Sequence, residues 1–439
     1  MTESGKRRVA ITTLGCKVNQ YESASFASRF EEQGAEIVPF DQAADVYVIN
    51  SCAVTAKAGA QSRQLIRRAL RANPKARLVV TGCYAQVATQ EILELVDHPI
   101  CLVGNENKHL LVEIALSRKL CDLEIYVGDI GKKKEICLLP VQRFPGRTRC
   151  YLKIQDGCNN FCSYCIVPYA RGRVRSLPVD QVLEQVAVFV AEGYRELVLT
   201  GIHVGMYGQD LSPRTSLLEL ARLLTMEDRG LRFRLSSLEP GELSPELLAL
   251  MATSPQFMPH FHLPLQSGSP AILERMNRRY TVAQFVQVVE SIVAALPTAS
   301  IGIDVLTGFP GETDEQFQET VHLLETLPLS YLHVFPFSKR PGTPAATMPD
   351  QVEQAVKEER AARLTALGRA KRRAFYQRQI GTVHAVLVEG GKNRFKQMKG
   401  FTDNYVPVYF AGQPHQENTI VQVMIDRVEE LMVFGHLLE

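Results

Sequence analysis

Apolar positions along the chain follow two periods that take turns. Short, nearly continuous apolar stretches at 7–14, 36–40, 46–50, 78–81 and 100–103 read as strands, and apolar residues recur at helical spacing between them. The first helix is expected after the first strand, with Asn19 as N-cap, Glu22 three residues later and Gly34 as the stop. A second runs from about 55 to 73 and ends before Pro74. This alternation predicts a parallel sheet covered on both faces, an α/β domain over 1–118. Residues 119–148 have weaker periodicity and read as a connecting segment with a strand or two.

From 149 the repeat lengthens. Six strands are expected at 151–155, 196–200, 232–236, 260–265, 300–306 and 331–337, with helices around 178–192, 215–226, 244–253, 281–295 and 313–326. Six such units predict a partial (β/α)6 barrel, closed by a long helix from about 350 to 379. After Gly381 strands at 382–389, 405–410 and 420–425 are separated by Gly, Asn and Asp turns, which predicts a small all-β barrel over 380–439.

Composition narrows the class. Of 439 residues, 46% are apolar and 22% charged, the proportions of a globular protein with large cores rather than a disordered, coiled-coil or collagen-like chain. No apolar run approaches the roughly 18 residues that span a bilayer, so no membrane association is expected. Lys6-Arg7-Arg8 before a short apolar stretch faintly resembles a lipoprotein leader. That stretch is too short, carries Thr12 and Thr13, and runs into a helical pattern, so it reads as a strand of a cytoplasmic protein.

Ten cysteines are too sparse for a disulfide scaffold, and three of them crowd together. Cys158, Cys162 and Cys165 form a C-x3-C-x2-C run just after the first barrel strand. Thiolates hold iron–sulfur clusters, and three on one loop leave one iron of a cubane open to another ligand. The alternatives are a zinc knob, which would want a fourth ligand although no His lies in the loop, or plain buried cysteines. This spacing on this loop resembles the radical S-adenosylmethionine (SAM) superfamily. The resemblance implies that the open iron chelates SAM, whose cleavage yields a 5′-deoxyadenosyl radical. Phe161 or Tyr164 would shield the cluster, or simply pack.

Cys16, Cys52 and Cys83 are far apart in sequence, yet each comes just after a predicted strand and before a helix. In an open parallel sheet the carboxyl ends of strands form the ligand crevice, so three thiolates could converge there. Gly15 and Gly82 would allow close approach of a bulky ligand. The alternative is that cysteine is a common core residue. Cys101 begins its strand and is expected at the opposite end, buried. The segments Gly15-Cys16-Lys17-Val18-Asn19-Gln20, Asn50-Ser51-Cys52-Ala53-Val54-Thr55 and Thr81-Gly82-Cys83-Tyr84-Ala85-Gln86 resemble the three N-terminal motifs of the methylthiotransferases. These are radical SAM enzymes with an auxiliary [4Fe-4S] cluster. The Gly-Cys-Lys-Val-Asn form is most like the branch acting on N6-threonylcarbamoyladenosine in tRNA.

The resemblance covers the whole chain and marks further positions. Gly201 and His203 follow the second barrel strand, Glu239 ends the third and is placed to meet a ribose, and Gln266 ends the fourth. Gly308 and Gly311 would admit a flat ligand, while Glu312 is placed either there or as a cap of the next helix. Gly201, Glu239, Gln266 and Gly308 are the candidate SAM contacts, and the radical SAM cluster would sit on Cys158, Cys162 and Cys165. Cys16, Cys52 and Cys83 would hold the auxiliary [4Fe-4S] cluster. No side chain is assigned as acid or base.

The net charge of +2 hides an asymmetry, because residues 357–400 carry twelve Lys or Arg against three Glu. Lys371, Arg372, Arg373, Lys392, Arg394, Lys396 and Lys399 lie in this block, interleaved with Phe395 and Phe401. With Arg279 and Arg340 on barrel loops, they are the candidate RNA contacts. The C-terminal barrel resembles the TRAM domain, an RNA-binding barrel of this family. The implied activity is insertion of a methylthio group at C2 of N6-threonylcarbamoyladenosine at position 37 in the tRNA anticodon stem-loop, one SAM giving the methyl group and another the radical. An electron donor and a sulfur donor are also required, and the sequence identifies neither. Competing readings are a sister enzyme acting on N6-isopentenyladenosine in tRNA or on a ribosomal-protein aspartate, and a non-catalytic iron–sulfur RNA-binding redox sensor.

Overall fold

Val46–Ser51 is buried at all six positions and Arg77–Gly82 at five of six. Strands buried on both faces belong in the middle of a parallel sheet, and these two lie there. The computed structural model describes residues 6–96, 98–117, 123–389 and 397–438. The first sheet is formed by β1 (Arg8–Thr13), β2 (Glu36–Val38), β3 (Val46–Ser51), β4 (Arg77–Gly82), β5 (Ile100–Val103) and β6 (Leu123–Tyr126). All pairings are parallel, in the order β2-β1-β3-β4-β5-β6. Helices α1 (Lys17–Glu32), α2 (Ala56–Ala72), α3 (Cys83–Val87), α4 (Thr89–Leu95) and α5 (Leu111–Leu116) cover it. Cys101 is buried in β5, while Cys121 lies outside the described residues.

Two local expectations change. The N-cap of α1 is Cys16, not Asn19. Asn19 lies in the first turn, and its side-chain amide donates to the Leu14 and Ser51 carbonyls at 2.7 and 3.0 Å, tying α1 to the ends of β1 and β3. Glu22 therefore does no capping; it is fully buried among cations. Asn-x-x-Glu has the outline of a capping box, and tertiary contacts use both residues differently. The segment after 118 also supplies β6, an edge strand that pairs with β5 and has no buried position, so it left little apolar signal.

The second domain has the six expected strands: β7 (Arg149–Lys153), then, past the short hairpin β8 (Gln155–Asp156) and β9 (Arg175–Ser176), β10 (Glu196–Thr200), β11 (Arg232–Leu235), β12 (His260–Gln266), β13 (Ser300–Thr307) and β14 (Tyr331–Pro336). They form two parallel halves, β11-β10-β7 and β12-β13-β14. Backbone bonds from Met258 to Phe233 (2.9 Å) and from Leu238 to His262 (3.1 Å) bring the halves together. Outside lie α6 (Val167–Arg171), α7 (Val179–Ala191), α8 (Leu217–Thr225), α9 (Pro245–Thr253), α10 (Pro270–Arg275), α11 (Val282–Ala295) and α12 (Asp314–Thr326). The long helix α13 (Gln354–Gln377) starts later than expected, because Asp350 has φ +56° and cannot lie in a right-handed helix.

β15 (Val383–Glu389), β16 (Met398–Phe401), β17 (Pro407–Phe410), β18 (Ile420–Glu429) and β19 (Met432–Leu437) close a barrel in the order β15-β16-β17-β19-β18. Phe375 of α13 packs into its core beside Val386, Val408 and Phe410. Tyr405, expected at a strand start, sits in the preceding turn with φ +71°. The α/β sheet, the partial barrel and the all-β barrel are thus all present. No helix among the described residues is long and apolar enough to cross a membrane.

A buried triad fastens the last barrel to the second domain. Glu196 receives Arg232 at 2.6 Å and Arg234 at 2.8 Å. Their guanidiniums also donate to the carbonyls of Ala385 (2.8 Å), Asp403 (2.6 Å) and Thr402 (2.8 Å) in the small barrel. Burial alone would raise Glu196, but Arg234 and Arg232 hold its carboxyl down at about 2 from the usual 4.5. Its contribution is therefore complete above pH 4.5 and drains away as pH falls toward 2. Glu196→Gln is expected to cost about 3–5 kcal/mol at neutral pH. Chemical denaturation should show the gap to wild type closing across that acid interval; a gap independent of pH would contradict this account.

Candidate active site

The loop Cys158–Cys165 leaves the hairpin strand β8 at Gly157, whose φ is +77°. A Cβ there would collide with the Arg173 carbonyl, so only glycine fits this turn. Donors face two of the three sulfurs. The Asn160 N–H points at Cys158 Sγ (3.4 Å), Arg278 Nη1 donates to Cys162 Sγ (3.2 Å), and His203 Nδ1 lies 3.5 Å from Cys158 Sγ. The second His203 nitrogen faces the Glu242 carboxylate. Burial works to lower His203, yet the bonds to Cys158 and Glu242 push it up to about 10. Arg173 covers the Phe161 ring at 4.5 Å, and Tyr164 packs against the apolar group around Ile272 and Phe309.

Cys16, Cys52 and Cys83 meet at one end of the first sheet. β1, β3 and β4 are adjacent, with Thr13 opposite Asn50 and Asn50 opposite Thr81, so the residues just beyond them emerge at one level. Neighbouring strands lie about 4.8 Å apart, which brings three consecutive strand ends within side-chain reach. Gly15 has φ +92°, and a Cβ on it would sit 2.8 Å from Cys52 Sγ. Cys16 is exposed, while Cys52 and Cys83 are buried.

Arg171 joins the two cysteine sites. It ends α6, which continues the Cys158–Cys165 loop, and is fully buried. Its Nε donates to Cys83 Sγ at 3.3 Å. Its other nitrogens reach Glu22 of α1 (2.5 Å), Asp156 of β8 (3.2 Å) and the Asn19 side chain. Lys108 also pairs with Glu22, and Lys153 lies 3.5 Å from it. Burial would raise the Glu22 carboxyl, but Arg171, Lys108 and Lys153 hold it well below its usual range.

Residues 152–324 match the radical SAM superfamily, and residues 8–104 match "Uncharacterized protein family UPF0004". The chain is 40% identical to a Bacillus subtilis protein named threonylcarbamoyladenosine tRNA methylthiotransferase MtaB, over 97% of this chain and 98% of that one. A Pelotomaculum thermopropionicum protein named tRNA-2-methylthio-N(6)-dimethylallyladenosine synthase is 35% identical, over 95% of each chain. The chain belongs to the radical SAM methylthiotransferases. In fold it is similar to the radical SAM methyltransferase TsrM from Kitasatospora setae, with a TM-score of 0.56 at 15% identity over 78% of this chain and 74% of that one.

Membership makes this protein a transferase and implies a [4Fe-4S] cluster and SAM. The residues present fit a cluster at the Cys158 loop. Burial pushes the Cys165 thiol up to about 12, so its thiolate needs a cationic partner, which iron supplies. Cys52 of the sheet trio is likewise pushed up to about 12 by burial.

The methylthiotransferase sheds light on the other marked positions. Gly201 packs against Gln155, whose side-chain amide oxygen Oε1 accepts from the His203 backbone N–H at 2.7 Å. Glu239 pairs with Arg278, the residue that also holds Cys162, so it stands beside the cluster loop. Gln266 ends β12 at a bulge with φ +65°. Gly308 (φ +69°) donates to Glu312 at 2.7 Å, and Glu312 pairs with Arg360. Glu312 does not cap the next helix; Thr313 does.

The basic residues divide. Arg373 is exposed, and Arg279 reaches the Asn159 carbonyl at 3.4 Å. Arg340 reaches the Ala53 carbonyl at 3.4 Å, next to Cys52. Lys371 is spent on the Glu325 and Leu327 carbonyls at the end of α12, at 3.1 and 2.7 Å. Lys399 lies 4.0 Å from Glu389 and over the Phe401 ring. Arg372 stacks on Tyr331. Lys392, Arg394, Phe395 and Lys396 lie outside the described residues.

The sequence reading missed Arg171 and Glu22 as a hub, because nothing local shows that residues so far apart will meet. Arg171→Met would take from Glu22 and Asp156 the cation they share and is expected to cost about 3–5 kcal/mol. Combined with Glu22→Gln, the loss should be well short of the sum, since both changes break one network. Denaturation of the four proteins measures this; additive losses would show that the two residues act separately.

Proposed function

We propose that this methylthiotransferase acts on tRNA, inserting a methylthio group at C2 of N6-threonylcarbamoyladenosine at position 37, beside the anticodon. The observation that carries the reading is the junction at Arg171. Arg171 ends the helix that continues the loop of three cysteines, and its buried guanidinium donates to Cys83 of the second trio. On this reading Cys158, Cys162 and Cys165 hold the SAM-binding [4Fe-4S] cluster, and Cys16, Cys52 and Cys83 hold a second. The name of the 40% identical relative supports the threonylcarbamoyl substrate.

An adenine C2–H is neither acidic nor electrophilic, so general acid–base help of about 10²–10⁴-fold is not enough. The bound clusters and SAM supply what the side chains lack: a hydrogen-abstracting radical, a methyl group and a sulfur carrier. The chain's residues position and shield. Arg278 and the Asn160 N–H stabilise thiolate at the barrel loop, and Arg171 does so at the sheet. Gly201, Glu239, Gln266 and Gly308 line the strand ends where SAM would lie. Exposed Arg373, together with Arg279 and Arg340 on the barrel loops, offers contacts to the anticodon stem-loop backbone. An external one-electron reductant and a sulfur donor complete the requirements.

Anaerobically reconstituted protein should hold about eight irons per chain, as two cubane clusters. Replacing Cys16, Cys52 and Cys83 by Ala should leave about four. That variant should still form 5′-deoxyadenosine from SAM but yield no 2-methylthio nucleoside. Wild-type protein that makes no 5′-deoxyadenosine with reductant and tRNA would defeat the reading.

A further inference from the structure

A cavity of about 400 Å³ opens where all three domains meet. Lys17 of α1, His262 and His333 of the barrel, Arg372 of α13 and Tyr405 of the small barrel line it. That volume is within the range of small-ligand sites. Its charge is one-sided, since no carboxylate residue is among its lining. Among the described residues Lys17 has no hydrogen bond or ion pair, and Arg372 has only its stacking on Tyr331. Arg149 and Arg234 add positive field near Lys17, each already paired with a glutamate, Glu389 and Glu196.

The nearest acid is already engaged. Asp304 Oδ1 lies 3.2 Å from His262 Nε2 and 3.3 Å from His333 Nδ1. Ser237 holds the other His262 nitrogen at 2.6 Å. These three side chains place ligand atoms within 4.8 Å of one another, a spacing that a divalent cation could use. Two unpaired cations in the same cavity oppose that occupant. The network instead orients His333, whose Nε2 has no partner among the described residues.

Half-buried cations without counterions are costly to keep and ready to receive an anion. We propose that this cavity is the specificity subsite for the N6 substituent, with Lys17 and Arg372 gripping its free carboxylate and His333 Nε2 meeting its polar arm. The inference rests on the tRNA reading above and deepens it. On an adenine only N1 separates C2 from C6, so the N6 substituent and the reacting carbon share one edge. A subsite for that substituent must therefore border the site of sulfur delivery. Lys17 meets this condition, being the residue directly after Cys16. An isopentenyl substituent, with no charge, would leave both cations unpaired.

The test uses reconstituted holoenzyme and three anticodon stem-loop RNAs. They carry N6-threonylcarbamoyladenosine, its methyl ester, or N6-isopentenyladenosine at position 37. Phosphate contacts are common to all three, so affinity ratios isolate the substituent. Wild type should bind the acid roughly tenfold or more tightly than the ester. Lys17→Met and Arg372→Met should each bring that ratio toward one, and Lys17→Arg should restore part of it. Equal wild-type affinity for acid and ester overturns the inference without needing any variant to fold, and so do variants that keep the ratio. Product analysis separates the two readings. Methylthiolation of the acid RNA with a ratio of one removes only the carboxylate subsite, whereas no methylthiolation by wild type removes the substrate assignment itself.

Discussion

One buried guanidinium holds this molecule together where its chemistry is assembled. Arg171 and Glu22 are both inaccessible to solvent, and each is contributed by a different domain. A buried charge without its partner costs several kcal/mol, so the sheet and the barrel loop are bound to one relative position. Lys108, Lys153 and Asp156 complete the network, so no charge is left alone. That position puts Cys83 against the end of the helix that continues the other cysteine loop. Rigid support of this kind matters for a reaction whose reactive group must not meet water or the wrong hydrogen atom.

The two cysteine sites reach similar surroundings by different routes. In the barrel loop, sequence proximity brings the thiols together, and a left-handed glycine turns the chain around them. In the sheet, register does it: three parallel strands end at one level, and their following loops converge. Both sites raise thiol pKa by burial and then direct N–H donors at sulfur. That combination disfavours free thiolate yet suits thiolate bound to a cation.

The small barrel takes part in the central cavity. Through the Glu196 triad it is docked so that Phe401 and Tyr405 wall the central cavity. The Tyr405 ring lies at a tilt of 31° to His260, centroids 4.5 Å apart, and 5.0 Å from Phe401, so aromatic rings line this side of the cavity.

By itself the sequence determined the local features: the strand–helix alternation, the close cysteine run, and the cysteines that follow three strands, two of them preceded by glycine. Each depends on neighbours in the chain, through hydrophobic period, turn glycines and ligand spacing. Tertiary structure decided what depends on distant residues. It moved the α1 cap from Asn19 to Cys16, turned Glu22 into an anchor, added the apolar-poor edge strand β6, and engaged Lys371 on carbonyls. It also gathered Lys17, His262, His333 and Arg372 around one cavity. The physical reason is that a side chain's partner across domains leaves no periodicity in the chain, since charge pairing and burial are settled only when the separate surfaces meet.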